Sequence, residues 1–537
     1  MKERYMKSAA KGFFIPLLIL ALSISVPHTK AATPEDIELA IQNGLAWLAG
    51  QQQGSGAWWY TSWANSNLDN GVTGLVLLKF VERAKELGLD PFDSNPASPT
   101  YYPYAQNVID GFDYLFSQAT VLPGDLVYIQ GYHVYNTGIA MMAVAATNAP
   151  ARVIGVGALS GWTYGEALQG MVDWMADAQG DADCYIGGWG YYANYSNWSD
   201  QSNTGYATLG IGFAAAAPPD GFGLTIPADV LTKLNTYIDN VQDPVDGDSL
   251  GYDGGSWYEP CSNYKWVNIL KTGNLLYEMA LVGDDVSAVR VQNAIEYIQN
   301  HWNSTGSQPE FTATSLGWKD SYQAMFTMMK GFEAFGIDTI EVGGMDIDWF
   351  DKVADVILAN QNADGSWAHI NTSIHEGDES PNLRAAWAML TLEKVVPTVE
   401  MSVFMDIKPG SCPNPLNLKA KGVLPVAILG TEDFDVMTVD PATVRLTREG
   451  YEETGVFPLR WAWEDVGTPF EGELCDCHDL NGDGYMDLTL KFDTQELVQV
   501  LELDTLAGEK IPLILMGNLK EEEGGTPIKG QDCVRIK

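Results

Sequence analysis

One segment of the chain has the residue types and spacing of a cation-binding loop. Asp479, Asn481, Asp483 and Asp487 place side-chain oxygens at positions 1, 3, 5 and 9, and the carbonyl of Tyr485 would be the ligand at position 7. Glycine at position 6 permits the sharp turn of such loops, but position 12 is leucine rather than the bidentate glutamate of an EF-hand. The segment therefore predicts structural calcium, and a turn rich in Asn, Asp and Gly that holds no ion is the alternative.

A second set of side chains has the chemistry to bind and protonate a substrate. These residues lie before, or at the start of, predicted helices rich in small residues. The candidates are His133, Tyr135, Asp200, Tyr264, Trp266, Asp320, His375, Glu376 and Arg384. Their aromatic faces suit either sugar rings or a polyprenyl chain with a developing cation. For the two aspartates, capping of a helix N-terminus is the competing interpretation, and for the two histidines it is a polar loop position.

These candidates are positioned by a unit that recurs six times between about residue 40 and residue 395. Each unit has an amphipathic stretch that often ends in Gln, then a Gly-Trp loop, then a small-residue helix that Thr-Gly frequently opens. The second helices begin near Asn70, Asn136, Asn203, Lys271, Ser321 and Arg384. A repeat of this size predicts stacked helix pairs, none of which can bury its apolar face alone.

Paired helices with Gln, Gly and Trp at the end of the first helix resemble the repeats of terpenoid cyclases and protein prenyltransferases. Residues 187–191 (Gly-Gly-Trp-Gly-Tyr) and 200–207 (Asp-Gln-Ser-Asn-Thr-Gly-Tyr-Ala) are very similar to squalene-cyclase-type repeats. The resemblance implies that residues 33–397 form an α6/α6 toroid, with inner helices around a central funnel and outer helices outside. Such a fold hosts many functions, so the site must be argued separately.

The catalytic motifs of these families are missing from the sequence. The Asp-x-Asp-Asp run with which squalene cyclases protonate their substrate does not occur. Asp181 and Asp183 stand three and one residues before Cys184, whereas the zinc site of protein prenyltransferases uses Asp-x-Cys. A catalytic zinc needs three protein ligands, and the segment expected to supply a His reads Ser-Asn-Thr-Gly at 202–205.

The order of the helices predicts where a ligand would bind. If outer and inner helices alternate as antiparallel pairs, all the inner helices run in one direction and begin at the same mouth of the funnel. Unpaired N–H groups and aligned helix dipoles at that mouth favour an anionic or strongly polar ligand.

Both ends of the chain differ from the repeats. Residues 1–32 have a basic start, a short apolar core and alanine at the expected cleavage point. This pattern predicts a secretory signal, and an uncleaved membrane anchor is the alternative.

After residue 397, short β-type runs predict an all-β, sandwich-like domain over 398–537. Its predicted strands are 403–407, 423–429, 444–446, 488–492, 513–515 and 534–536. Residues 406–411 and 424–430 resemble a β module found at the C-terminus of exported microbial proteins.

Composition limits the partners and the compartment. The 537 residues include 70 acidic and 30 basic ones, and the net charge of −40 disfavours nucleic acid and anionic membranes as partners.

In an exported protein the six Cys residues are expected to form disulfides. Cys475 and Cys477 are too close to pair comfortably, so each is expected to reach Cys412 or Cys533; a soft-metal site with His478 is the alternative. The other two, Cys184 and Cys261, could join toroid loops or stay free.

Two functions from different classes follow from the sequence. The first is an exported binding or scaffold protein whose aromatic funnel holds a small molecule, glycan, lipid or protein, with no transmembrane segment in the mature chain. The second is an enzyme that uses the same funnel, either a carbohydrate-active lyase or hydrolase or a divergent terpenoid-type cyclase or transferase. The missing motifs favour binding, whereas a His hydrogen-bonded to a carboxylate at the funnel would favour the enzyme.

Overall fold

The structure is a computed structural model that describes most of the chain. It covers residues 32–61, 67–192, 198–246, 252–261, 266–304, 317–370, 380–395, 401–431, 434–448, 451, 454–470, 474–475, 481–520 and 527–537. The predicted signal segment up to residue 31 and the candidates Tyr264, His375, Glu376 and Asp479 lie outside these residues. Two separate clusters of buried apolar side chains organise the rest, one before residue 396 and one after residue 400.

Twelve α-helices precede residue 396 in the described part of the chain, and they alternate between an outer and an inner position. The outer helices are α1 (Pro34–Gln51), α3 (Ala105–Ser117), α5 (Tyr164–Ala178), α7 (Ala228–Val241), α9 (Val289–His301) and α11 (Trp349–Ala359). The inner helices are α2 (Asp69–Glu86), α4 (His133–Ala146), α6 (Gln201–Ala215), α8 (Ile269–Leu281), α10 (Tyr322–Ala334) and α12 (Pro381–Leu392). Each inner helix contacts the next one, and α12 contacts α2. This closed, toroid-like ring confirms the type of fold that the repeat resemblance implied.

The small residues of the inner helices let their backbones approach closely. At Gly138 in α4, a Cβ atom would lie 2.4 Å from the carbonyl oxygen of Tyr206 in α6. At Gly210 in α6, it would lie 2.6 Å from the carbonyl oxygen of Gly138. Neither glycine can be replaced without moving one helix away from the other, because real Cβ atoms do not come this close to backbone. The small-residue pattern is therefore a packing requirement of the ring.

The Gln at the end of an outer helix ties consecutive outer helices together. Gln179 donates from Nε2 to the carbonyl of Gly187 in its own loop (2.9 Å) and to that of Val230 in α7 (3.0 Å). Gly187 has a φ of 88°, and a Cβ there would lie 1.8 Å from the carbonyl oxygen of Lys233, so the loop requires glycine. The same pair of bonds is made by Gln52, Gln242 and Gln361, the last of which reaches α1.

In three of the units, the Trp of the Gly-Trp loop anchors the loop to the preceding outer helix. Trp189 is fully buried, and its indole N–H donates to the carbonyl of Met175 in α5 (2.9 Å). Its backbone N–H donates to Oγ1 of Thr204 in α6 (3.0 Å), which explains the Thr-Gly opening of the inner helix. Trp58 and Trp367 are also fully buried and donate to the preceding outer helix in the same way. These bonds satisfy polar groups that burial would otherwise leave unpaired.

Two β-hairpins between helices were not predicted. β1 (Ala119–Leu122) pairs with β2 (Leu126–Ile129) between α3 and α4, where other units have a Gly-Trp loop. β3 (Thr339–Val342) pairs with β4 (Met345–Asp348) just before α11. The second hairpin turns through Gly343 and Gly344, whose φ values of 62° and 80° suit a two-residue hairpin turn.

Beyond residue 400 the described chain forms two small sheets over one apolar core. The strands are β5 (Met401–Ser402), β6 (Met405–Ile407), β7 (Pro415–Leu416), β8 (Val423–Ile428), β9 (Val439–Thr447), β10 (Arg460–Glu464), β11 (Asp487–Asp493), β12 (Lys510–Leu519) and β13 (Pro527–Ile536), with helix α13 at Thr494–Val500. One sheet has the order β10-β11-β8-β6, and the other has β5-β13-β12-β9 with β7 also on β13. All six predicted strands are present, whereas β5, β7, β10 and α13 were not predicted. Among the described helices, none is both long and apolar enough to cross a bilayer.

Candidate functional site

A cavity of about 360 Å³ lies at the end of the ring where the inner helices begin. Its walls come from the first two turns of all six inner helices and from the loops that precede them, as the helix order predicted. Eight aromatic side chains line it: Tyr60, Tyr132, Tyr135, Tyr191, Tyr206, Tyr258, Trp266 and Trp387. The lining residues include no Asp, Glu or His within the described part of the chain, and Lys271 is the charged one. The cavity is thus aromatic and largely neutral.

The floor of the cavity is a contact across the ring. Trp387 in α12 donates from its indole nitrogen to the hydroxyl oxygen of Tyr206 in α6 (3.2 Å), although two inner helices separate α6 from α12 on either side. Gln323 in α10 also hydrogen-bonds with Tyr206. The floor is therefore held by polar contacts and closes the cavity at the depth of the second helical turn.

One wall is a stack of aromatic rings. The rings of Tyr135 and Tyr191 are 5.8 Å apart at an angle of 15°, and Trp198 stacks on the far side of Tyr191 at 5.7 Å and 18°. Stacked rings offer a flat apolar surface, and the polar groups of Tyr and Trp lie at the ring edges. Such a wall fits a flat ligand with polar substituents at its edge.

Three tyrosine side chains surround one serine in this wall. Tyr135, Tyr191 and Tyr258 lie around Ser202, whose Oγ donates to Oδ1 of Asp200 (2.5 Å). Burial raises the pKa of each of the three phenols, and the negative charge of Asp200 adds to this effect. At neutral pH the phenols are therefore neutral groups that can donate or accept hydrogen bonds.

Lys271 is the cationic group of the cavity. It belongs to the first turn of α8, and its Nζ lies 5.5 Å from the ring centroid of Tyr258 and 5.3 Å from that of Trp266. The side chain is almost buried, at 7% exposure. A cation over two aromatic faces is held by the negative faces of the rings.

Two of the predicted site residues line the cavity and four others lie elsewhere. Tyr135 and Trp266 form part of its wall. Asp200 is fully buried behind the wall, where it caps α6 by accepting the N–H groups of Ser202 and Asn203 (both 2.8 Å), so its capping interpretation applies. Burial raises the pKa of its carboxyl.

The other candidates are held in structural contacts outside the cavity. The ring of His133 lies 4.3 Å from that of Tyr128, on the side of the outer helices, and burial lowers its pKa. Asp320 is half-buried beside Ser321, and it is Ser321 that caps α10. Arg384 donates from Nε to the carbonyl of Trp367 (3.1 Å). No described His contributes to the cavity, and Tyr264, His375 and Glu376 stay predictions.

Sequence reasoning missed several lining residues that a simple signal would have found. Tyr60, Tyr191 and Tyr258 each follow the Trp of a Gly-Trp loop within two residues. Trp387 and Tyr206 had no such signal, because both sit inside helices in which nearly every residue is buried.

A buried polar layer lies next to the cavity wall. Gln201, adjacent to Ser202, donates from Nε2 to both carboxyl oxygens of Glu278 in α8 (3.0 and 2.9 Å). Lys330 in α10 donates to Oδ1 of Asn274 (3.1 Å). Glu278 and Lys330 are both fully buried, and burial raises the pKa of Glu278 to about 8 and lowers that of Lys330 to about 7. The fold thus favours the neutral forms of both groups near neutral pH.

Replacing Glu278 with Gln should stabilise the ring increasingly as the pH rises. The raised pKa means that the fold favours the protonated form of Glu278. The contribution of this form to the free energy of unfolding is therefore fully present below the ordinary pKa of 4.5 and is lost as the pH rises past about 8. Gln imitates the protonated acid at every pH. We expect the difference in free energy of unfolding between Glu278→Gln and wild type to grow between about pH 5 and about pH 9 in urea titrations. A difference independent of pH would contradict this assignment.

A disulfide ties together two loops that carry cavity residues. Cys184 and Cys261 are bonded, with their Cα atoms 5.9 Å apart. The bond joins the loop between α5 and α6, which carries Tyr191, to the loop before α8, which carries Tyr258. It decides between the two possibilities that the sequence left open. A second disulfide joins Cys475 to Cys533, and Cys412 is disulfide-bonded as well.

Removing the first disulfide should destabilise the ring. The bond closes a segment of 77 residues, and cross-links of this kind contribute about 2–4 kcal/mol, mainly by restricting the unfolded chain. We expect the double variant Cys184→Ser, Cys261→Ser to lose stability by about that amount in urea unfolding followed by circular dichroism. An unchanged unfolding midpoint would show that the loops are held without it.

The predicted calcium loop is described from residue 481 onward, and a carboxylate from outside it enters the turn. Asp465, which follows β10, accepts the N–H of Asp483 at Oδ1 (2.9 Å) and that of Gly484 at Oδ2 (3.0 Å). Asp483 in turn accepts the N–H of Tyr485 (3.0 Å). The loop backbone is therefore organised around Asp465, a residue that the sequence motif does not include.

Asp487, the last predicted ligand, accepts hydrogen bonds from backbone N–H groups. It is fully buried and accepts N–H groups from Gly430 (3.0 Å), Val466 (2.7 Å) and Gly467 (2.9 Å). Asn481 and Asp483 are exposed, and their side-chain oxygens face solvent as possible metal ligands. Among the residues that the structure describes, no three or more His, Cys, Asp or Glu side chains gather as metal ligands usually do.

Comparison with known proteins gives weak structural similarities only. No family model matches the chain, and no curated protein matches it. The GH76A α-1,6-mannanase from Salegentibacter sp. HEL1_6 is 10% identical, with 67% of this chain and 98% of that chain covered and a TM-score of 0.43. A family 76 glycoside hydrolase from a bovine Bacteroides thetaiotaomicron strain is 13% identical, with 67% and 78% covered and a TM-score of 0.44. A variant of the type II terpene cyclase MstE from Scytonema is 11% identical, with 67% and 97% covered and a TM-score of 0.36. What this chain does must therefore be inferred from its own cavity.

Proposed function

We propose that the ring is an α6/α6 toroid whose cavity binds a glycan. The observation that carries the proposal is a lining of eight aromatic side chains together with hydroxyl, amide and ammonium groups. Aromatic faces stack on the apolar faces of sugar rings, while phenols, Ser202, Gln323 and Lys271 can bond sugar hydroxyls. The volume of about 360 Å³ lies at the lower end of the range for small-molecule sites.

The polar groups of the wall distinguish a glycan from an isoprenoid lipid. A lipid chain would bring no new hydrogen-bond partner to the phenol hydroxyls, Ser202 and Gln323, and taking polar groups out of water without such a partner costs free energy. A sugar presents hydroxyls at its ring edge and apolar C–H groups on its face. It therefore matches both kinds of lining group at once.

The protein is proposed to act outside the cytoplasm after loss of residues 1–32. The signal-like start of the sequence supports this, and so do the two disulfides, because such bonds persist in oxidising compartments. The acidic surface then serves as a solvated exterior.

Calcium is proposed to bind the loop at 479–487 and to hold it against the sheet. Asn481, Asp483 and the carbonyl of Tyr485 have the positions that such a loop needs, with Asp479 completing the set. Asp465 sits against the same turn and adds a carboxylate beside the ion. The role would be structural, because it would neutralise neighbouring carboxylates.

A carbohydrate-active enzyme that uses the same cavity is the second candidate. The arrangement that favours it is the group of buried phenols around Ser202, whose Oγ donates to Asp200. The phenols stay protonated, since burial raises their pKa, so they could donate hydrogen bonds to a bound sugar. A base would have to come from the predicted candidates His375 or Glu376.

Binding and turnover can be separated in one experiment. The mature chain would be screened against a panel of neutral and acidic oligosaccharides and isoprenoid lipids by thermal unfolding, since a ligand of the folded state raises the midpoint. The best ligand would then be incubated with the protein and analysed by mass spectrometry. A glycan that binds and is recovered intact supports the binding function, and a changed glycan supports the enzyme. Stabilisation by isoprenoids alone would contradict both.

A further inference from the structure

We propose that the β region holds a second, buried cation site formed by Asp406, Asp532 and Asn414, for a hard divalent ion such as calcium. These residues lie where β6 of one sheet meets β13 of the other. The site uses none of the ligands predicted for the loop at 479–487 and none of the residues that line the glycan cavity.

The three side chains are brought together by hydrogen bonds around one carboxylate oxygen. Oδ2 of Asp532 accepts the backbone N–H of Ile407 (2.7 Å) and a side-chain N–H of Asn414 (3.1 Å). Because Asp406 is bonded to Ile407, its Cα lies about 2.4 Å from that nitrogen. The carboxyls of Asp406 and Asp532 are thus close neighbours, and their charges interact.

Two buried oxygens at this place have no hydrogen-bond partner. Asp406 is 3% exposed, and its Oδ2 accepts no bond. Asn414 is 4% exposed, and its Oδ1 likewise has no partner. The orientation of the Asn414 amide is fixed, because its nitrogen donates both to Asp532 and to the carbonyl of Cys533 (3.4 Å). A buried oxygen without a donor is costly, and a cation satisfies several of them together.

In the described part of the chain, the charges that act on Asp406 are those of Asp532 and Asp487, both of the same sign as its own. Lys408, the basic residue nearest in sequence, donates from Nζ to the carbonyl of Pro415 (2.9 Å) instead. Two neighbouring carboxyls in such a place require either a cation or a shared proton.

Calcium binding by the full mature chain can test the site. The protein would be stripped with a chelator and titrated with calcium by isothermal calorimetry and by flow dialysis, for wild type, Asp406→Asn and Asp483→Asn. Asp435→Asn is the matched control, because Asp435 only caps a short turn in the same region. We expect Asp406→Asn to lose one bound ion per chain, while Asp483→Asn and Asp435→Asn keep that ion.

The outcomes separate a cation from a proton. If Asp406→Asn raises the thermal midpoint and binds as many ions as wild type, the two carboxyls share a proton and no cation binds there. Loss of an ion only in Asp483→Asn would support the surface loop and overturn the buried site. Should Asp406→Asn fail to fold, Asn414→Ala retains both carboxylates and is expected to weaken one binding event at least tenfold. An unchanged affinity in that variant would overturn the proposal.

Discussion

Replacing Trp189 with alanine is expected to lower the free energy of unfolding of the helical ring by about 3–5 kcal/mol. The side chain is fully buried, its indole bonds α5, and its backbone bonds Thr204 of α6. Truncation would leave a large cavity between an outer and an inner helix and an unpaired carbonyl at Met175. Urea unfolding followed by far-ultraviolet circular dichroism measures the loss.

A second tryptophan provides the control for that experiment. Trp461 in β10 is 42% exposed, so Trp461→Ala should change the stability by less than about 1 kcal/mol. If both variants lost the same stability, the Gly-Trp loop would not be the anchor of the repeat. A small effect of Trp189→Ala alone would have the same consequence.

Replacing Trp266 or Tyr191 with alanine is expected to weaken glycan binding by about 30-fold, or about 2 kcal/mol, as removal of a central aromatic contact does. Both side chains line the cavity, and Tyr191 is the middle ring of the aromatic stack. Calorimetric titration with the oligosaccharide selected by the screen measures the effect.

Two companion variants separate stacking from hydrogen bonding. Tyr191→Phe keeps the ring and removes the hydroxyl beside Ser202, so it should cost less than Tyr191→Ala. Trp461→Ala, in the β region, should leave the affinity unchanged. Equal losses in Trp461→Ala and Trp266→Ala would place the glycan outside the ring.

The sequence predicted the repeat well because each of its signals has a local physical cause. Gln179 bridges two outer helices, Gly187 has a backbone conformation and a close contact that exclude other residues, and Thr204 holds the loop that Trp189 anchors. Each cause acts within one unit or between neighbours, so the pattern is visible without the fold.

The cavity was less predictable because its composition depends on side-chain direction. An Asp before a helix can cap it or face the funnel, and Asp200 does the former. His133 starts an inner helix, yet its ring turns towards Tyr128 and the outer layer. The hydrogen bond between Tyr206 and Trp387 joins residues 181 positions apart, and no local sequence pattern predicts such a contact.

The central claim is that a glycan binds in the cavity, and a crystal structure of the mature chain with its tightest-binding oligosaccharide tests it most directly. We expect a sugar ring stacked on Tyr191 or Trp266, with its hydroxyls within hydrogen-bonding distance of Ser202 or Lys271. A sugar found only on the β region, or on the outer helices with the aromatic cavity empty, would contradict it.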